Sequence, residues 1–574
     1  MAAVSSARKK LNTLLICSSW PSCFEEGGHL IGGMSSGGLG QTDIGDTYPY
    51  IGGLAREFYE RNSQFYKSRK HQYLFKHSGN GADCRLPSSN CSVTYNLEPH
   101  VAEHIFNEMI KEAGVKVLYG AQVARAKFSE VESTKVSRIG KRIKSITTTS
   151  GHEIFAKIFL DASYEGDLMA AANVSHVTGR EGKDDYNESL AGLSAGSKKN
   201  QFDLKINPFD DNGRPLPFIT KQMPFIEFNG KKRKIGSGDD IIQSYNFRLC
   251  LTRNVSNRIP FPKPQKYDPR DWKLLKRYVD ACVVIGNSSN SEKSKCQIGF
   301  PSCNMGLLPN GKFDMNNCGG FSSDFIGGSQ QYPTSDYESR KQIWFDHLNY
   351  QQGFLYFLSN DDSIPLEIRN KMKEWGLCAD EFKRNQISMN WPPALYVRGA
   401  RRMLGDQVFT QNTPSEQKAF GSIGNSSIGV GGYNFDSHNG QRFACKNLSS
   451  CYMTGPPSVM EQLHPYNSAA RSDTSFAWDE GDVEVKPDLY QIPYWVLTPK
   501  ISEVTNLLNI ATPSSSHIGM STLRMEPQFM VLGHAAGTAS YIAIESGTNV
   551  PVQSIDMNLL NKLLLKEKMI LSTR

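Results

Sequence analysis

No stretch of the 574-residue chain reaches about 18 uninterrupted apolar residues, so a membrane-spanning helix is not expected. No C-x-x-C occurs among the 12 cysteines, which argues against a structural zinc site; their even number permits disulfides without assigning any. A long basic tract is missing too. Lys plus Arg number 64 against 57 for Asp plus Glu, the net charge of +7 is spread along the chain, and nucleic acid is not an expected partner. The one dense run, Lys231 to Lys234, follows Asn229-Gly230 and reads as a charged strand leaving a hairpin turn. Met1 opens straight into a helix, so the sequence as it stands offers no signal-peptide pattern to expect cleavage at. Finally, the chain has no G-x-G-x-x-G turn. That absence matters because Ala2, Ala3, Val4 and Ala7 share a helical face, Arg8 to Lys10 close the helix, and Leu11 to Ile16 reads as a short buried strand. The pattern reads as the second half of a βαβ unit of the nucleotide-binding kind, whose first half would carry that turn.

What is present suits a large folded protein. At 574 residues and 39% apolar content the chain can form two or three domains or one composite fold. A Gly-rich loop at Gly32 to Gly45 precedes an amphipathic helix at Ile51 to Tyr66, and a polar loop with Cys84 and Cys91 follows. Asn96 to Gly114 reads as a helix with a C-terminal glycine, feeding a strand from Val115. Strands with turns occupy Ile139 to Ser150, and Glu153 to Ser163 reads as one mostly apolar strand with Asp161 at its carboxyl end. From about 180 to 480 the texture becomes irregular and rich in Pro, Asn and aromatics, broken by helices near Trp272 to Val284, Tyr337 to Ser359 and Ile364 to Trp375. The end returns to the first style, with a strand at Asn506 to Ala511 and a small-residue helix at Glu526 to Gly547. Asn-x-Ser sequons occur at Asn90, Asn173, Asn187, Asn254, Asn287, Asn425 and Asn447; they would suit a secreted protein, although Asn and Ser are abundant enough for chance matches.

Several segments, taken in order, carry a family resemblance: GGMSSGGLGQTDIG (Gly32 to Gly45), DASYEGDLMAAA (Asp161 to Ala172), YNFRLCLT (Tyr245 to Thr252), NRIPFPKPQKYDP (Asn257 to Pro269), LYVRGARRMLGDQVFTQ (Leu395 to Gln411), YNFDSH (Tyr433 to His438), YQIPYWVLTPK (Tyr490 to Lys500) and STLRMEPQFMVLGHAAGTA (Ser521 to Ala539). Together they resemble the FAD-dependent oxidoreductase family that includes xanthan-lyase-annotated proteins. The resemblance implies an α/β fold with a discontinuous, glutathione-reductase-like (Rossmann-type) FAD-binding domain and a large α+β substrate domain. The boundaries follow: 1–175 and 486–574 for the FAD domain, 176–485 for the substrate domain. It also implies a strand and glycine turn before Ala2, and an acid that binds ribose where Cys17 stands. The expectation is therefore of a chain short by about 10 to 30 residues, binding FAD weakly, and a catalytically impaired remnant is an alternative reading.

The expected cofactor is FAD and the expected partner a small-molecule substrate, hydroxylated or carbohydrate-like, that gives a hydride to the flavin. Gly32, Gly33, Met34, Gly37 and Gly38 supply permissive backbone near the cofactor. By resemblance Val123 meets the adenine, Asp161 and Ala162 complete the nucleotide side, and Met520, Arg524, Gly533 and Ala536 surround the flavin. Arg398, Arg401 and Arg402 read as one helical stretch, with Arg398 and Arg402 on one face as a clamp for a carboxylate or hydroxyl-rich substrate. The family pattern has an acid where Gly399 stands. His438, after Tyr-Asn-Phe-Asp, is the expected general base, with His517 and His534 as alternatives. A rival reading comes from His100, Glu103 and His104, which spell the H-x-x-E-H pattern of zinc peptidases.

Overall fold

The structure, a computed structural model, describes residues 1–17, 23–24, 28–45, 47–68, 83–87, 91–128, 140–194, 200–202, 206–220, 235–286, 305–383, 387–446, 475–480, 482–547 and 549–573. The Lys231 to Lys234 run lies outside them, as do the sequons at Asn90, Asn287 and Asn447.

The chain mixes helices and strands throughout. Its opening helix, Ala2–Arg8, lies against the Glu526–Glu545 helix, and small residues make the close contact possible. A Cβ on Gly537 would stand 2.6 Å from the Ala2 carbonyl oxygen, and Ser5 Oγ donates to the His534 carbonyl at 3.0 Å. Beneath them, Leu14–Ile16 pairs in parallel with Lys116–Leu118, and Phe159–Asp161 pairs in parallel with Leu507–Asn509, strands some 350 residues apart brought together as the sequence's return to its first style suggests. Parallel neighbours need long crossovers. The Gly53–Ser68 and Pro99–Ala113 helices lie between the first pair; the latter opens on Pro at its first position and closes on Gly114 at φ 70°, where a left-handed backbone favours glycine. The largest apolar cluster draws on both ends of the chain, from Val4, Phe58 and Ile105 to Leu532, Ala539 and Leu564.

Glu153 to Ser163 is two strands where the sequence reads as one. Glu153–Phe155 closes an antiparallel meander with Ile143–Thr148 and Val123–Phe128, whereas Phe159–Asp161 crosses to Leu507–Asn509. The exposed Lys157 and Ala156 between them mark the change of partner, which an apolar count does not register.

A second apolar cluster is built mainly from residues 202–400. At its centre is a five-stranded antiparallel sheet ordered Arg258–Ile259, Gly376–Cys378, Leu249–Thr252, Lys312–Met315, Met305–Leu307. The Lys273–Gly286 and Tyr337–Asn360 helices carry Leu275, Tyr278, Trp344 and Phe354 into the same cluster. Asp336 caps the longer helix by accepting from Ser339 N at 2.8 Å. No helix among the described residues is long and apolar enough to cross a membrane.

Candidate functional site

Three arginines from distant parts of the chain converge on the ring of Tyr396. Arg398, Arg524 and Arg248 place their guanidinium carbons 4.8, 5.6 and 5.7 Å from its centroid. Buried cations this close repel one another unless each has its own anion. Each does. Arg248 makes a two-pronged contact with Asp314, at 2.9 and 2.7 Å. Arg398 pairs with Asp324 at 3.0 Å and donates to the Ser244 carbonyl at 2.6 Å. Arg524 donates to Asp436 Oδ2 at 2.8 Å and to the Tyr396 hydroxyl at 2.9 Å.

His438 completes the cluster. Its Nδ1 donates to Asp324 Oδ2 at 2.8 Å, and its Nε2 lies 3.7 Å from Asp436 Oδ2. Burial and Arg398 oppose charge on the ring, but Asp324 and Asp436 outweigh them and raise its pKa above the usual 6.5. Asp436 moves the other way: burial would raise it, yet His438 and Arg524 hold it well below the carboxylate range. Arg248, Arg398, Arg524 and His438 thus face Asp43, Asp314, Asp324 and Asp436. The arginines, Asp314 and Asp324 are buried and the His438 ring nearly so, whereas Asp43, Tyr433 and Asp436 are half-buried.

The Gly32 to Gly45 segment borders this site along its length. At one end Tyr164 accepts from Met34 N at 2.9 Å and donates to Glu526 Oε1 at 2.7 Å, joining the segment to the head of the Glu526–Glu545 helix. Burial, only partly offset by hydrogen bonds from Tyr164 and Ser35, pushes the Glu526 carboxyl up to about 7. Further on, Gln41 N donates to Asp314 at 2.9 Å, and Asp43 stands 3.8 Å from Arg248. The expected Gly-rich loop is in part a one-turn helix, Gly33–Gly37, flanked by Gly32 at φ 118° and Gly38 at φ 135°. Its glycines admit close protein neighbours: Cβ atoms on Gly32, Gly33 and Gly37 would lie 2.3 to 2.4 Å from Phe106, Tyr164 and Ala394.

The expected arginine clamp does not form. Residues 396–401 are not helical, Arg402 starts the short Arg402–Met403 strand, and the two side chains part: Arg398 goes to Asp324, Arg402 to Glu181 at 2.7 Å. Spacing of four places residues on one face only in a helix, and the chain here is held extended, with Val177 paired to Arg402. Gly399 leaves open space where the family pattern has an acid; a Cβ there would meet only Gln243 Nε2, at 3.6 Å.

The alternative histidines are engaged elsewhere. His517 faces Ser437 Oγ at 2.8 Å, and burial with Arg402 and Arg180 nearby holds its pKa well below the usual range. His534 accepts from Leu54 N at 3.2 Å and contacts Glu567 at 2.6 Å, in a helix contact apart from the charged cluster. Asp161 binds Ser163 N, Ser163 Oγ and Met169 N, so its carboxylate shapes the turn after the strand, with Ala162 exposed beside it. The Val123 carbonyl accepts from Tyr337 at 3.0 Å. Met520 is buried in the His517–Leu523 helix, Gly533 faces Met1 and Ala2, and Ala536 is in the core.

The zinc pattern does not converge either. His100 Nδ1 meets Glu381 at 2.7 Å, while His104 turns to Glu108 at 3.2 Å. Among the described residues the potential ligands that do converge are Glu98, His100 and Glu381, and the Lys312 ammonium already sits 2.6 Å from Glu98 and 2.7 Å from Glu381.

Sequence reasoning missed Asp43, Asp314, Asp324, Tyr396, Asp436, Arg248, Tyr164 and Glu526 as site residues. All but Asp314 and Asp324 lie inside the segments that carry the family resemblance, so the charged and phenolic residues of those segments were the available signal.

Comparison with protein families identifies the class of protein. The model of the FAD dependent oxidoreductase family matches residues 1–564. The chain belongs to that family, and FAD is its cofactor. No curated protein matches the chain. Among solved structures, the Diels-Alderase PyrE3 of the pyrroindomycin biosynthetic pathway is similar over 35% of this chain and 45% of that one, at 12% identity and a TM-score of 0.16, too slight a likeness to carry an argument. Polar groups for a flavin ring are at hand: Arg524 Nε and Gln528 Oε1, at the head of the Glu526–Glu545 helix, are buried without a hydrogen-bond partner. A guanidinium and a helix N-terminus there fit the edge of the ring that gains negative charge on reduction.

Proposed function

We propose that this flavoprotein oxidises a neutral, hydroxylated, carbohydrate-like small molecule, with His438 taking the hydroxyl proton. Bound FAD would supply the hydride acceptor. The observation that carries this reading is the His438 ring, nearly buried, fixed at Nδ1 by Asp324 and approached at Nε2 by Asp436, at 3.7 Å. As a hydroxyl proton moves to Nε2, the ring becomes a cation between two carboxylates, which stabilise it. Asp43, Asp436 and Tyr433, half-buried, offer hydrogen-bond partners for further hydroxyls. A carboxylate substrate would find no unpaired cation there, since each arginine already has its own acid, so the site favours neutral substrates.

The fold reading that accompanies this is the glutathione-reductase-like one, with residues 1–175 and 486–574 as the FAD domain around a 176–485 substrate domain. The two parallel strand pairs and the two apolar clusters support it. Met520 and Arg524 would then lie toward the flavin and Met34, Val123 and Ala162 toward the rest of the cofactor, whereas Gly533, Ala536, Asp161 and the glycines from Gly32 to Gly38 are taken up by protein contacts. Arg398 and His517 act through neighbours, Arg398 by fixing Asp324 and His517 by holding Ser437, one residue before His438. Arg402 braces the loop at Glu181.

The test is anaerobic bleaching of the flavin by a panel of sugars and sugar alcohols beside the corresponding sugar acids. Neutral members should reduce the flavin at least about tenfold faster than their acids, since taking a carboxylate out of water without a counter-charge costs on the order of 1.4 kcal/mol or more. Faster reduction by the acids would contradict the reading.

A further inference from the structure

Two cysteines face each other across the middle of the five-stranded sheet. Leu249–Thr252 and Gly376–Cys378 run antiparallel with Leu251 opposite Leu377, which sets Cys250 opposite Cys378, and the two sulfurs lie 3.1 Å apart. Both side chains are buried, in a small cluster with Leu308. Directly opposed residues of antiparallel strands have Cα atoms about 4.5 to 5.5 Å apart, within the span a disulfide bridges. The other cysteines whose side chains are described are already bridged: Cys84 with Cys91, and Cys17, Cys282, Cys318 and Cys445 likewise in disulfides. A chain with so many bridges matures under oxidising conditions.

We infer that Cys250 and Cys378 form a further disulfide, a cross-strand staple in the sheet that presents Arg248 to the charged cluster. In the closing step two S–H bonds break and one S–S bond forms. The electron pair and the two protons pass to an external disulfide, small-molecule or protein, which leaves as two thiols. Burial pushes the Cys250 thiol up, so in the finished fold it is a poor nucleophile. Exchange therefore takes place while the sheet assembles, before the pair is covered. The staple closes a loop that holds the Lys273–Gly286, Tyr337–Asn360 and Leu366–Lys373 helices, since the two residues are 128 apart in sequence. It also fixes the strand after Arg248 to the strand that leads into Glu381, the partner of Lys312 and His100.

The test is a thiol count on the full chain folded in a buffer of glutathione and glutathione disulfide, then quenched in acid, unfolded and alkylated with N-ethylmaleimide. Wild type and the Cys250→Ala/Cys378→Ala double variant should give the same count, and Cys250→Ala alone should gain one alkylated thiol per chain, at Cys378. Peptide masses without reduction should show the segments containing Cys250 and Cys378 linked to each other. Two more thiols in wild type than in the double variant, or either cysteine linked elsewhere, would overturn the inference. The peptide masses of the wild type decide the linkage without either variant, so a poorly folding variant does not obscure it.

Discussion

His438 works under opposing demands. It must be neutral to accept a proton, yet Asp324 and Asp436 favour its charged form and raise its pKa above 6.5. Rate should therefore climb with pH through a value higher than that of an ordinary histidine. Asp436→Asn removes one of the two carboxylates and leaves Arg398 with its Asp324 partner, so the rising limb of the pH–rate profile should move down by about one unit; an unmoved limb would show that a different group titrates. Glu526 poses a similar question of stability. Its folded pKa of about 7 lies above the ordinary 4.5, so folding binds a proton between those values. Its contribution to stability is full below about pH 4.5 and declines as pH rises through about 7. Glu526→Gln keeps an acceptor for Tyr164 and should flatten the fall in thermal midpoint between pH 5 and 8, a loss of on the order of 3 kcal/mol at most in wild type. Equal slopes in the two proteins would refute the assignment.

Among the elements, the segment from Gly32 to Gly45 touches the most parts of the site. Gly38 is its tightest point: at φ 135° its Cβ would lie 2.2 Å from the Arg248 carbonyl oxygen, a backbone atom that cannot swing away. Gly38→Ala should destabilise by about 2 to 4 kcal/mol. Gly114, at φ 70° with nothing within 4 Å of its Cβ, provides the contrast, and Gly114→Ala should cost about 1 kcal/mol. Denaturant melts of the two variants check the difference; equal losses would mean that the crowding at Gly38 is relieved at little cost. Elements were legible in sequence where periodicity ran long. The Gly53–Ser68, Pro99–Ala113, Tyr337–Asn360 and Glu526–Glu545 helices fall where the apolar spacing and end signals place them. Short stretches failed: Arg398 to Arg402 satisfies a helical spacing by coincidence, and Glu153 to Ser163 hides a change of strand partner behind continuous apolarity.

At the scale of the whole molecule, the family and its cofactor were legible because the matching segments are strung along nearly the entire chain, and the family model spans 1–564. The site was only half legible. His438 stood out as a histidine after an aromatic and acidic run, but its partner Asp324 is 114 residues away, and only the folded chain brings them within 2.8 Å. The same holds for Tyr396, whose ring gathers arginines from three separate segments. Local patterns name residue types, whereas this site is made by long-range packing of the 202–400 cluster against the strands and helices that close the chain. The role of His438 is measured most directly by the rate of anaerobic flavin reduction by a true substrate, compared between wild type and His438→Ala across pH. His438→Ala should leave the flavin spectrum intact, lower the rate by on the order of a hundredfold, and abolish the rising limb expected of wild type above pH 6.5. An unchanged rate and an unchanged pH profile in His438→Ala would contradict that role.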